Sequence, residues 1–275
     1  MSLSFLPRPA EAERHFFAVW RHLLEFARQS VISCVFPLLL FLTFALTKHF
    51  AVPGLPRYDV ILLCCLAAQW ALYSKGWETK DELKVIAVFH GAGLALELFK
   101  THLHAWAYPE PGWTKIAGVP LYSGFMYASV ASYLCQAWRR LDVHLSGWPP
   151  GWAAWTLAAG IYGNFFTEHR LPDARWLLAG LIAFVFRRTW VSFTVCAVSC
   201  PPATYRMPMT VAFILIGFFV WVAENIATYY GAWQYPNQSG GWHPVSFAKI
   251  SSWSLLVVFS FLIVAQLKHV KELRK

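Results

Sequence analysis

"LELFKTHLHAWAYP" (residues 96–109) and its near-copy "AENIATYYGAWQYP" (residues 223–236) each set a glutamate late in an apolar run and end in Trp-x-Tyr-Pro. A constant offset of 127 pairs Glu97 with Glu224, Thr101 with Thr228 and Ala105 with Ala232. The same offset pairs Trp106 with Trp233, Tyr108 with Tyr235 and Pro109 with Pro236, which makes six identities in thirteen ungapped positions. A charged residue at the centre of a membrane helix costs about 2.5–3.5 kcal/mol on insertion scales. A chain that repeats that expense is using the carboxylate for something.

The rest of the sequence supplies the setting. Of its 275 residues 57% are hydrophobic and 13% charged, and mean hydropathy is +0.45. A soluble domain is nearer one quarter charged, so the composition points to a membrane protein. Fifteen tryptophans fit a chain with residues at membrane interfaces. The net charge of +9 falls in short clusters between apolar runs, which suits membrane-flanking loops and argues against a nucleic-acid partner. Cys34, Cys64, Cys65, Cys135, Cys196 and Cys200 lie in or beside apolar runs with no CxxC pattern, and read as small hydrophobes.

A span needs about 20 mainly apolar residues. Runs near 31–48, 58–75, 84–104, 118–138, 151–168, 174–190, 208–230 and 247–267 qualify, the sixth being interrupted by Arg187 and Arg188. The expected fold is therefore an all-α, polytopic transmembrane helix bundle of about eight spans. Residues 1–30 read as a cytoplasmic amphipathic segment and 31–270 as a single transmembrane domain. The basic clusters place both termini in the cytoplasm by the positive-inside rule, in a multi-pass protein of a bacterial inner membrane. The duplicated motif predicts a four-plus-four parallel internal repeat, with halves at about 31–140 and 151–270.

Helical spacing puts His90, Gly93, Glu97, Lys100, Thr101 and His104 on one face, and Gly217, Trp221, Glu224, Thr228 and Gly231 on another. These faces are expected to look into the bundle. Glu97 and Glu224 are the candidate acid and base, with His90 and His104 as proton relays. Trp106, Tyr108, Trp233 and Tyr235, with Thr101, Thr228 and Lys249, are the candidate substrate contacts, the rings facing a developing cation. The plainer reading of the same aromatics and prolines is an interface belt and a helix stop, and of the glutamates an ion pair with Lys or Arg. His102, His104, Glu168, His169 and His243 lie toward one face, yet HxxHH, DxxxD and HExxH patterns are absent, so no metal and no cofactor is expected.

The stretch "RRTWVSF…RMPMTVAFILIGFFVWVAENIATYYGAWQYPNQ…GWHPVSFAKISSWSLLVV", with the earlier "ELFKTHLHAWAYPE", resembles the bacterial domain-of-unknown-function 817 (YoaT-like) membrane family from about residue 77 onward. That resemblance implies several spans and no particular activity. More remotely, "ELFKTHLHAWAYPEPGWTKIAGVPLYSGFMYA" is similar to integral-membrane carotenoid 1,2-hydratases, and "AENIATYYGAWQY" to membrane-type lycopene cyclases. Glu97 and Glu224 stand at those families' intramembrane acids. The cyclases' later pair of glutamates is replaced here by "HPVSFAKISSW", with Lys249 and Ser251 at the acidic positions. The function expected is intramembrane acid–base chemistry on a lipid or isoprenoid, with a proton-coupled small-molecule transporter or a non-catalytic scaffold as alternatives.

Overall fold

The structure is a computed structural model that describes residues 9–167 and 170–272. Glu168 and His169, two of the histidine–carboxylate candidates, lie outside the described residues. Helices form over the apolar runs: α1 (Pro9–Ser33), α2 (Val35–His49), α3 (Arg57–Ser74), α4 (Lys80–His102), α5 (Ser123–Arg140), α6 (Gly151–Thr167), α7 (Arg175–Val185), α8 (Met209–Tyr229) and α9 (Lys249–Glu272). Between them lie β1 (Lys115–Ile116), β2 (Val119–Pro120), β3 (His144–Ser146), β4 (Trp190–Val195) and β5 (Ala203–Pro208). β1 and β2 form a small antiparallel hairpin, and β3, β4 and β5 form a three-stranded antiparallel sheet in that order.

The all-α, eight-span expectation is corrected on two counts. First, the described residues hold two small sheets. The stretch "TWVSFTV", expected at the end of a sixth span, is β4, because its β-branched and aromatic residues alternate in the strand period with Val191 and Val195 turned inward. Likewise "AGVPL", expected at the start of the fourth span, is the β1–β2 turn, with Ala117 and Gly118 at φ 46° and 85°. Second, among the described helices only α8 is by itself long and apolar enough to cross a membrane. Counting α1 and α2, which meet at a 63° bend, as one broken span gives two. At 15 and 11 residues, α2 and α7 are shorter than a bilayer requires, and α6, at 17, stands at the lower limit. α4 is long enough but carries Lys80, Asp81, Glu82, Lys84, Glu97 and Lys100.

The four-plus-four repeat and the shared side for both termini fall with the span count. At the offset of 127, β4 would correspond to residues 63–68, which lie inside α3. At that offset α4 corresponds to α8 and α5 to α9, but the segments before them have different architectures.

The core lies where α2, α3, α4, α5, α8 and α9 pack. Phe36, Phe44, Tyr58, Tyr122, Ile61 and Phe213 are almost wholly buried there. α4 opens with a capping box, the Thr79 hydroxyl accepting from the Glu82 amide while the Glu82 carboxylate accepts from the Thr79 amide. That cap sets where the helix begins, and so which residues, Glu97 among them, share its inward face.

Candidate functional site: two carboxylates under one aromatic roof

Both copies of the motif end a helix in the same way. At the end of α4 the Ala105 amide donates to Lys100 O at 3.0 Å and the His104 amide to Thr101 O at 3.0 Å. At the end of α8 the Ala232 amide donates to Ala227 O and the Gly231 amide to Thr228 O, at 3.0 and 2.9 Å. This is the Schellman arrangement, which needs a left-handed residue just past the helix. Gly231 takes φ 69° there and His104 takes φ 55°. His104 is thus the first copy's version of a glycine cap, and its side chain is exposed.

The reversal at each cap carries the Trp-x-Tyr tail back over the last helical turns. The two tails then meet. Ala107 and Gln234, equivalent by the offset, exchange a pair of antiparallel backbone hydrogen bonds at 2.9 Å each. Across that bridge Trp106 lies edge-on to Tyr235, their ring centres 6.0 Å apart. The Lys249 ammonium, from the start of α9, stands 4.9 Å from the Tyr235 ring centre and 5.8 Å from that of Trp106.

Beneath this roof sit the glutamates, each only 3% exposed. Glu97 accepts hydrogen bonds from Trp106 Nε1 (2.6 Å), the Tyr108 hydroxyl (2.7 Å) and the Tyr127 hydroxyl (2.7 Å). Glu224 accepts from the Tyr235 hydroxyl and from Trp253 Nε1. Hence each carboxylate is held by the tyrosine eleven residues on, in its own tail, and by an aromatic donor from the following helix, α5 or α9. Glu224 lies close enough to act electrostatically on Glu97, and Lys249 to act on Glu224. A buried carboxylate needs such donors, since leaving one unsatisfied costs several kcal/mol.

The remaining expected residues divide. Thr228 is buried, its hydroxyl donating to Glu224 O at 3.0 Å and accepting from Trp242 Nε1 at 3.1 Å. Among the described residues the buried Thr101 hydroxyl and His90 Nδ1 have no hydrogen-bond partner, and His90 packs against the Phe125 ring at 4.5 Å. Trp233 is buried. His90 and His104 make no hydrogen bond to either glutamate. Among the described residues no group of three or more His, Cys, Asp or Glu side chains is arranged to hold a metal ion.

Further groups, which the sequence pattern does not single out, complete the site. Tyr127 and Trp253 supply a donor each, as above. Arg57 fixes the end of α8 by donating to Tyr230 O (2.6 Å) and Gly231 O (3.0 Å) while pairing with Glu110 at 2.6 Å. Asp59, two residues on, accepts from the Trp113 and Thr114 amides at 2.8 and 2.9 Å and so anchors the segment after the first tail. Finally the Tyr122 hydroxyl donates to Ala232 O. A charge pair two residues apart at a helix start, Arg57 and Asp59, is the one local signal in the sequence that points to this clamp.

Beside the site, a narrow crevice between α4, α5, α6 and α9 is lined by Phe89, Gly93, Leu96, Tyr127, Tyr162 and Phe259. It reaches the ring of Tyr127, whose hydroxyl is bonded to Glu97.

The family model for a protein of unknown function, DUF817, matches residues 22–261. An uncharacterized protein of Bacillus subtilis (strain 168), YoaT, is 56% identical over 252 residues, covering 92% of this chain and 94% of that protein. No solved structure matches the chain.

Proposed function

The chain belongs to the DUF817 family, and we propose that it is a plasma-membrane protein whose paired glutamates perform acid–base chemistry on a lipid or isoprenoid. The observation that supports this most is the convergence of Glu97 and Glu224 beneath one aromatic roof, which scaffolding alone does not require. Membrane residence is supported by α8, whose outer face presents Val211, Ile214, Leu215, Phe218 and Phe219 to the surroundings. Exposed apolar surface of that extent seeks lipid or protein.

Chemically, a carboxylic acid can protonate a carbon–carbon double bond, leaving a carbocation and a carboxylate. A second carboxylate then removes a proton from a neighbouring carbon, and the double bond has moved. The proton count balances, because one carboxyl gives what the other takes. Separate acid and base roles require inequivalent carboxyls. Here Lys249 stands beside Glu224, whereas Glu97 takes three neutral donors. The rings of Trp106 and Tyr235 already face a cation, the Lys249 ammonium.

The test is to place the full chain in liposomes of bacterial lipid extract in deuterated water and to follow the lipids by mass spectrometry. Wild-type protein should introduce carbon-bound deuterium, and Glu97→Gln or Glu224→Gln should abolish the exchange while leaving the fold intact. Undiminished exchange in the double glutamine variant would sink the proposal.

A further inference from the structure

We propose that the end of the molecule built by α1 and the C-terminus of α5 binds the phosphodiester headgroup of an anionic phospholipid, with α1 lying along the membrane surface. This rests on the membrane residence proposed above, but not on any chemistry at the glutamates.

α1 has two unlike faces. One packs inward: His22 is 7% exposed and bonds Pro201 O and the Tyr205 hydroxyl at 3.1 Å each, and the Phe26 ring meets Phe193 at 5.1 Å. The other presents Leu24 and Val31, seven residues apart and so on one line, at 65% and 59% exposure, with Leu23 beside them at 52%. Arg21 and Arg28, again seven apart, run along one flank of that apolar strip, and both are exposed. An apolar strip edged with arginine is the pattern of a helix that lies in the interface, its cations among the headgroups. The 63° bend at Cys34 turns the chain from this helix into α2.

The arginine row continues on α5, which packs against α1. Arg139 and Arg140 form the basic last turn of that helix. Arg28 is bonded to Glu25, and Arg139 pairs with Glu82 at 3.4 Å. Arg140 has a different surrounding: its guanidinium rests over the Trp77 ring at 5.1 Å and donates to Gln136 at 3.4 Å, with no carboxylate partner among the described residues. Arg21 likewise has none among them. Arg21 and Arg140 are thus positive charges with no carboxylate beside them among the described residues, and an anion complements them. A phosphodiester fits the guanidinium fork, and its acyl chains fit the strip next to it. The surface therefore selects a molecule carrying an anionic head and an apolar tail together.

The experiment uses the full chain in detergent, titrated separately with phosphatidylglycerol, phosphatidylcholine of the same acyl chains, and soluble glycerol 3-phosphate, with bound lipid counted by native mass spectrometry. Phosphatidylglycerol should bind at least tenfold more tightly than phosphatidylcholine, and glycerol 3-phosphate should not compete at equal concentration. Arg21→Gln with Arg140→Gln should erase the preference, whereas lysine at both positions should keep most of it. Leu24→Ser with Val31→Ser should weaken both lipids. Equal binding of the two lipids, or an undiminished preference in the double glutamine variant, would overturn the inference while leaving the glutamate chemistry untouched. Recovery of wild-type protein in the soluble fraction would remove it together with the membrane reading.

Discussion

Replacing Gly93 by alanine tests how the roof is held, because a single methyl group would be driven into the partner of Glu97. A Cβ built at residue 93 would lie 2.7 Å from Tyr127 Cβ and closer still to two ring carbons. Tyr127 Cβ is fixed to the α5 backbone, so rotating the ring does not relieve the clash. α4 and α5 must separate, or Tyr127 must leave. Overpacking of this kind costs about 1–3 kcal/mol. If Tyr127 moves, the 2.7 Å bond from its hydroxyl to Glu97 is lost, which adds about 0.5–1.5 kcal/mol. Alanine returns about 0.5–1 kcal/mol of helix propensity. The expected net destabilisation is on the order of 1–4 kcal/mol, read from denaturant unfolding of the full chain in detergent. The control is the same substitution in a Tyr127→Gly background, where the ring and its Cβ are both gone and Gly93→Ala should cost far less. Equal costs in the two backgrounds would refute the reasoning, since the penalty would then have nothing to do with Tyr127.

His104→Gly should stabilise the protein by about 0.5–1 kcal/mol, because glycine holds the left-handed cap without the roughly 1–2 kcal/mol penalty of an L side chain; an unchanged melting midpoint would show that His104 is not strained. Asp59→Asn should cost about 1–3 kcal/mol, because an amide cannot accept from both Trp113 and Thr114 as the carboxylate does. Burial pushes the Asp59 carboxyl up, but the hydrogen bonds from Thr114 and Trp113 outweigh it and hold the group below its usual range. Its contribution should therefore be complete above about pH 4, be lost as pH falls below that, and be missing from the acid-unfolding curve of Asp59→Asn.

Much of the site was legible in the chain alone. The glutamates stand out because charge is rare in apolar runs, and the offset of 127 picks out the two tyrosines that hold them. Hydropathy misleads when it is used as a ruler. Trp190–Val195 is as apolar as a span, yet its residues alternate in and out of a sheet. α4 is interrupted by charges that its fold buries or caps: Glu82 pairs with Arg139 and closes the capping box, and Glu97 takes three donors. The imidazole of His104 suggests a proton relay, but the position is explained by its backbone. Its pairing with Gly231 is visible in the aligned copies, and a glycine opposite a histidine at a helix end is a cap signal.

By itself, then, the sequence determined where the helices lie, that Glu97 and Glu224 are inside, and that each is followed by its own aromatic tail. Those are local properties, set by hydropathy, spacing and capping over short stretches of chain. Only the tertiary structure decided that the tails bridge at Ala107 and Gln234, that Tyr127 and Trp253 complete the two carboxylate sites, and that Arg57 and Asp59 clamp the ends. These contacts join residues from about 30 to more than 170 positions apart. Hydrogen-bond donors are chosen by geometry among many tyrosines and tryptophans, and no one-dimensional pattern distinguishes the one that arrives from those that do not.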